Sequence, residues 1–208
     1  MKKIMQIAKK NKIFVIEDCA EAIGTKYKNK RVGTIGDCGI FSFFGNKTIT
    51  TGEGGMIIFK NPKIYSIAKK LRDHGMSKEK KYFHELIGYN YRMTNMQAAI
   101  GVAQLEKFKE IIKRKVQIAN IYKKYLFRKK TVKFQINETK SLNSFWAVAI
   151  LIKKQDFTFN SCEEQLNNMG IEIRNFFYPL NQQKIYKKYA IKKKYVTDNM
   201  VKKGILLP

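Results

Sequence analysis

Residues 41–55 read FSFFGNKTITTGEGG, and the interpretation of this stretch decides the rest of the chain. Phe41, Phe43 and Phe44 form a short apolar run with the composition of a buried strand. Lys47 follows at once, ahead of a turn rich in threonine and glycine. A lysine acts as a covalent catalyst where a desolvated, constrained pocket lowers its pKa, because the neutral amine can then form a Schiff base with a carbonyl. The plain alternative is a solvated surface charge, since the chain carries 42 lysines and arginines. Gly52, Gly54 and Gly55 allow positive φ and close backbone approach, which suits a tight turn and equally a phosphate.

Upstream, residues 2–10 predict a helix with a narrow stripe of Ile4, Ile7 and Ala8. Residues 13–16 are a continuous apolar run, the pattern of a parallel strand covered on both faces, and the run ends in Glu17 and Asp18. Ligands of open α/β sheets bind beyond the carboxyl ends of the strands, so an acid there is a candidate ligand contact. Asp18 reads equally well as the cap of a helix beginning at CAEAIG, residues 19–24. A turn region over 28–36 leads into a strand over 39–44.

Downstream, 56–59 is a further apolar run, and 62–73 predicts a helix leading to a loop over 73–90 that holds His74 and His84. Two histidines this far apart, with no third ligand at a metal spacing, make a poor metal site, which leaves structural or substrate-contacting roles. Thr94 with Gln97 forms a capping box ahead of Met96, Ala99, Ile100 and Ala103, so a long helix begins there and continues through Leu105, Phe108 and Ile112. The texture then changes. Strands over 132–136 and 144–152, a helix over 162–169 and a turn at Gly170 into another strand describe a smaller α+β lobe. The expected domains are 1–115 and 116–208.

Composition bounds the function. The 208 residues, 44% hydrophobic and 12% aromatic, suffice for one good core or two modest lobes. No apolar run approaches the ~20 residues needed to span a bilayer, and the N-terminal MKKIMQIAKKNK lacks the uninterrupted apolar core of a signal peptide, so a cytoplasmic protein without membrane contact is expected. Cys19, Cys38 and Cys162 contain no CxxC pair, which argues against a disulfide framework and a zinc site. The net charge of +26 invites a nucleic-acid reading, with basic clusters at 107–115, 123–130 and 187–194. The excess is nearly all lysine and spreads over most predicted surfaces, the pattern of a general composition bias with nonspecific polyanion binding at low salt.

The segments IEDCAEAIG (16–24), GIFSFFGNKTITTGEGGM (39–56), LRDHG (71–75) and HELIGYNYRMTNMQAAIGVAQLE (84–106) together resemble the DegT/DnrJ/EryC1/StrS family of pyridoxal-phosphate-dependent sugar aminotransferases. The resemblance implies an α/β fold, namely part of a fold-type-I large domain followed by a smaller α+β lobe. It implies pyridoxal 5'-phosphate as cofactor and Lys47 as the residue that holds it and moves the proton. By the same likeness Asp18 pairs with the pyridinium nitrogen, Ser42 contacts the phosphate, and Glu21 lies near the phenolic oxygen. Asn90 reaches the phosphate in a neighbouring subunit, which implies a homodimer.

The FFGNK, GYNYRMTN and RNFFYPL (174–180) forms imply a 4-keto-6-deoxy nucleotide sugar linked to GDP as acceptor, and the likeness to the family as a whole implies glutamate as donor. His84 and Tyr178 are the expected substrate contacts. Asn181 stands where the family commonly has histidine. The resemblance starts well inside the family's length and stops before its end. It therefore predicts an internal piece with uncovered sheet edge and apolar surface, whose missing N-terminal part a separate chain could supply. The other classes left open are an inactive or split-enzyme fragment kept as a binding protein, and a basic nucleic-acid-binding protein.

Overall fold

The computed structural model describes residues 1–137, 139–190 and 195–208. In chain order the elements are α1 (Lys2–Asn11), β1 (Ile16–Asp18), β2 (Lys26–Tyr27), β3 (Lys30–Arg31), β4 (Cys38–Ser42), β5 (Gly55–Phe59), α2 (Pro62–Arg72), α3 (Asn95–Glu106) and α4 (Phe108–Leu126). Then follow β6 (Val132–Phe134), β7 (Val148–Ile152), α5 (Phe159–Asn167), β8 (Arg174–Asn175), α6 (Val196–Lys203) and β9 (Gly204–Leu207). The chain divides into two compact units, Met1–Val116 with Asn137–Trp146, and Gln117–Ile136 with Ala147–Pro208.

The first unit holds a mixed sheet in the order β1-β4-β5, with β1 parallel and β5 antiparallel to the central β4. Parallel β1 and β4 bring their carboxyl ends to one edge, so Asp18, beside Ile40, and Ser42 finish together. Between them runs the β2–β3 hairpin, whose turn residues Lys28 (φ 48°) and Asn29 (φ 66°) take the left-handed conformation that a two-residue hairpin turn requires. A Cβ on Gly39 would come within 2.4 Å of the Gly33 backbone, so glycine there lets the loop after the hairpin lie directly on β4. Two helix starts are capped as their sequences dictate. Asn61 accepts from the Lys63 N–H with Pro62 at the first turn of α2, and Thr94 and Gln97 complete their reciprocal pair at α3.

The second unit is an antiparallel sheet in the order β6-β7-β9-β8. Its core is Ile150, Ile173 and Ile205, against which Val132, Phe134, Phe157, Phe159 and Leu166 pack.

Several expectations change. The run 13–16 is not a strand buried on both faces: β1 starts only at Ile16, and Ile13, Phe14 and Ile16 are 58%, 47% and 60% exposed. The reason is that β1 lies at the sheet's edge and only the face carrying Glu17 is covered. CAEAIG forms turns rather than a helix; Asp18 Oδ1 accepts the Ala20 N–H at 3.1 Å and so closes a turn. The long helix from Thr94 is two helices broken at Lys107. On α3 the apolar Met96 and Ile100 face outward, while Gln104 and Gly101 face the loop after Lys47. In the second unit the strand expected over 144–152 is confined to Val148–Ile152, and α5 begins at Phe159. The sequence reading contains neither α6 nor β9. Of the basic cluster 187–194, residues 191–194 lie outside the described residues.

Candidate active site

Lys47 sits where β4 gives way to a tight loop. Its N–H donates to the Phe44 carbonyl at 3.0 Å, which closes the turn that turns the side chain away from the strand. The following loop is fastened from inside. Thr51 N–H and Thr50 Oγ1–H both donate to the Phe43 carbonyl, Gly52 N–H donates to Thr50 Oγ1, and Thr51 Oγ1–H donates to the Glu53 carbonyl. Gln104 on α3 accepts the Thr50 N–H at 3.0 Å, and Ile49 is almost wholly buried. The threonines that give this stretch its composition are therefore its hydrogen-bonding framework. The glycines supply the turn: Gly52 has φ 78°.

Only 13% of the Lys47 side chain is exposed, and its Nζ donates to Glu21 Oε1 at 2.8 Å. The same Nζ lies 4.9 Å from the centroid of the Trp146 ring, whose Nε1–H donates to the Asn46 carbonyl at 2.9 Å. The Thr48 hydroxyl, next along the chain, is buried without a hydrogen-bond partner among the described residues.

Period-two alternation separates the two acids at the end of β1. Glu17 points to the covered face, is 7% exposed, and accepts three backbone N–H groups: Gly33 at 2.9 Å, and Ile35 and Gly36 at 2.6 Å each. Asp18 points to the other face, the one shared by Ile40 and Ser42 through the register. Asp18 is exposed and accepts only the Ala20 N–H among the described residues. Ser42 Oγ accepts the Phe44 N–H at 3.3 Å, which leaves its hydroxyl hydrogen available to an acceptor. Burial, reinforced by the charges of Glu17 and Asp18, pushes the Cys19 thiol up from 9.0 to about 11.

The site residues predicted from sequence thus divide. Lys47 and Glu21 are in contact, and Asp18 and Ser42 share one face and one edge of the same sheet. Asn90 pairs with Asp73 in an isolated antiparallel bridge, beside the Arg92–Asp73 ion pair at 3.2 Å. His84 is exposed, and its Nδ1 donates to the His74 carbonyl at 2.8 Å. Tyr178 belongs to the second unit, is 70% exposed, and lines an open cleft of about 390 Å³ with Phe157, Phe159, Phe176, Asn175 and Lys202. Sequence reasoning missed Trp146 and the anchoring role of Glu17. The alternation in β1 could have given the second, whereas nothing local marks the first.

The donor set suits a cofactor with an aldehyde, a basic ring nitrogen and a phosphate: an enclosed amine, a carboxylate with an oxygen to spare, a hydroxyl free to donate, and a buried hydroxyl with no partner. The fold is that of an α/β protein, and the side chains gathered at the end of β4 have the chemistry such a cofactor needs. The chain belongs to the DegT/DnrJ/EryC1/StrS aminotransferase family, whose model matches residues 1–208. Pyridoxal phosphate is the cofactor to which that membership points.

The chain is 43% identical over 212 residues to a GDP-perosamine synthase of Escherichia coli O157:H7, covering 100% of this chain and 56% of that protein. A GDP-perosamine synthase of Vibrio cholerae is 42% identical over 200 residues, covering 94% and 54%. Among solved structures, PseC of Helicobacter pylori, an aminotransferase involved in the biosynthesis of pseudoaminic acid, superposes with a TM-score of 0.91 at 26% identity, covering 100% of this chain and 57% of that one. An E. coli GDP-4-keto-6-deoxy-D-mannose-3-dehydratase with bound hydrated PLP gives 0.87 at 26% identity, covering 99% and 58%. The chain spans about half the length of the curated relatives it matches. Among the described residues, no helix is long and apolar enough to cross a membrane.

Proposed function

We propose that this chain carries the lysine-bearing part of a pyridoxal-phosphate-dependent aminotransferase that delivers an amino group, taken from glutamate, to C4 of a 4-keto-6-deoxy nucleotide sugar. The chain's relatives include GDP-perosamine synthases, and a 4-amino sugar nucleotide for surface polysaccharide is the product. The observation that carries this reading is the enclosure of Lys47, 13% exposed and paired with Glu21 at 2.8 Å, at the strand edge where Asp18 and Ser42 end. When bound, the cofactor supplies an electron sink that allows an amine and a ketone to exchange.

The protein's share is placement. Lys47 Nζ would hold the cofactor through its aldehyde, and as a free amine it would accept and return the proton at the reacting carbon. Glu21, in contact with that Nζ, fixes its direction and would lie near the cofactor's phenolic oxygen. Asp18 would hold a proton on the ring nitrogen, and the Ser42 hydroxyl would donate to a phosphate oxygen. Asn90 acts on the phosphate held by a second copy in a homodimer, and His84 and Tyr178 contact the nucleotide sugar. The setting is cytoplasmic, where nucleotide-activated sugars are made. A separately encoded N-terminal chain is a further partner compatible with this reading.

The experiment is an absorption spectrum of the purified chain with pyridoxal phosphate, then borohydride reduction and peptide mapping. A visible imine band with one reduced adduct on Lys47, absent in Lys47→Ala, supports the reading. Label scattered over surface lysines, with no band, defeats it for this chain.

A further inference from the structure

We propose that Trp146 is a positioning residue for Lys47, seated by a strained clasp over 142–146 so that its indole covers the amine and pins the turn that carries it. The inference rests on reading Lys47 as the cofactor lysine. Its physical basis lies in three observations.

The first is the double engagement of the indole. Its N–H holds the backbone of Asn46, the residue before the lysine, at 2.9 Å. Its ring lies 4.9 Å from the lysine Nζ, within the range at which an ammonium is drawn to an aromatic face. One side chain thus restrains both the turn and the amine. Together with Glu21 it leaves Nζ few directions to point.

The second is the way the segment is held. Asn137 and residues 139–146 pack in the first unit, although the described chain on either side of them belongs to the second. Lys26 and Leu142 exchange both backbone hydrogen bonds at 2.9 Å. Ser144, with no exposed surface, puts its hydroxyl 2.8 Å from that of Thr25 and donates its N–H to Thr25 Oγ1 at 3.2 Å. Asn143 Oδ1 accepts the Phe145 N–H at 2.8 Å. These contacts hold the chain on both sides of one residue.

That residue is the third observation. Phe145 has φ 51°, a left-handed conformation that a bulky side chain with a Cβ rarely adopts, and it is buried. Such strain persists only where the surroundings over-determine it, and it gathers where a neighbouring side chain must be aimed. Here the residue so aimed is Trp146. A purely packing role needs no left-handed phenylalanine, because a regular extended segment would bury an aromatic at lower cost.

The test uses the full chain without cofactor, so that it stands apart from the cofactor reading. Trace acetic anhydride labels the lysines in competition, and peptide mass spectrometry gives the label on Lys47 relative to the others. In Trp146→Leu the relative label on Lys47 should rise about threefold, the scale of a lost cation–π contact. In Trp146→Phe, which keeps a ring and loses the N–H, the rise should be smaller. A Lys47 label unchanged in both variants overturns the proposal.

If Trp146→Leu does not fold, all lysines gain label together, and the converse measurement decides. Trp146 is the chain's single tryptophan. An ammonium against an indole quenches its emission, so Lys47→Met should brighten Trp146 while Lys28→Met leaves it alone. Equal emission from the two variants overturns the proposal. Failure of pyridoxal phosphate to attach to Lys47 would remove the proposed function and leave these readings as they are.

Discussion

The two units of this protein are stabilised by different means. The second is an ordinary apolar core: Ile150 and Ile205 on the central strands of an antiparallel sheet, with Ile173 just before β8, packed with valine, leucine and phenylalanine. The first keeps a carboxylate inside. Glu17 is buried and spends both oxygens on three backbone N–H groups of the loop that lies over β4. Around Lys47, too, the loop is held by side-chain to backbone bonds from Thr50, Thr51 and Gln104. Apolar burial is non-directional, whereas hydrogen bonds fix atoms in place. The unit that carries Lys47, Asp18 and Ser42 is the one built with directional contacts.

Three experiments put that contrast to the test. The largest effect is expected at Glu17. Glu17→Ala leaves the N–H groups of buried Gly33 and Gly36 and half-buried Ile35 unpaired and should lower the unfolding free energy by about 3–5 kcal/mol in urea titrations. It should also weaken the borohydride-trapped adduct on Lys47, because the 33–36 loop that leads into β4 loses its tie to β1. A loss of under about 1 kcal/mol would mean that water replaces the carboxylate and that the contrast is only apparent.

Ile205→Ala comes second. Its side chain is 2% exposed, and truncation should cost about 3 kcal/mol through lost burial and the cavity left behind. Hydrogen exchange should show the loss confined to the second unit, with the Lys47 adduct retained. Accelerated exchange across both units would show that they do not hold together independently.

The smallest effect is a pH dependence. The Cys19 thiol is raised to about 11 by burial first and by Glu17 and Asp18 after it, whereas burial alone raises Cys162 in the second unit. The folded state keeps the Cys19 proton after the unfolded chain has lost it. This contribution to stability is complete below pH 9 and is lost as pH rises through 11, amounting to about 2 kcal/mol. Cys19→Val should flatten the fall between pH 9 and 11, and Cys162→Val should flatten it less. Equal flattening would show that the carboxylates beside Cys19 contribute nothing.

How much of this was legible in the sequence follows from the range of each contact. The Lys47 loop, the acids at the end of β1 and the capping box at Thr94 are each written within a few residues, and the motifs around them supply the family. What a hydrogen bond to the same turn decides can be read locally. The two faces of β1 were also available in principle, since alternate residues must point opposite ways, yet which face is covered depends on the loop over 33–36 and so on Gly33 and Gly39. The outward apolar stripe of α3 defeats periodicity for a similar reason: packing against the threonine loop requires an amide acceptor at Gln104 and space at Gly101. β9, a central strand four residues long, carries too little pattern to announce itself. Trp146 meets Asn46 across 100 residues of chain, and no local signal spans that distance.

The same separation has a consequence for synthesis. Closing a loop that long is slow relative to local folding, and it cannot begin before residue 146 has been made. At about 5–20 residues added per second, the lysine turn leaves the ribosome about 5–20 seconds ahead of the indole that covers it. For that interval Lys47 is an uncovered amine on a nascent chain, open to any free aldehyde. Its cover arrives only with the clasp.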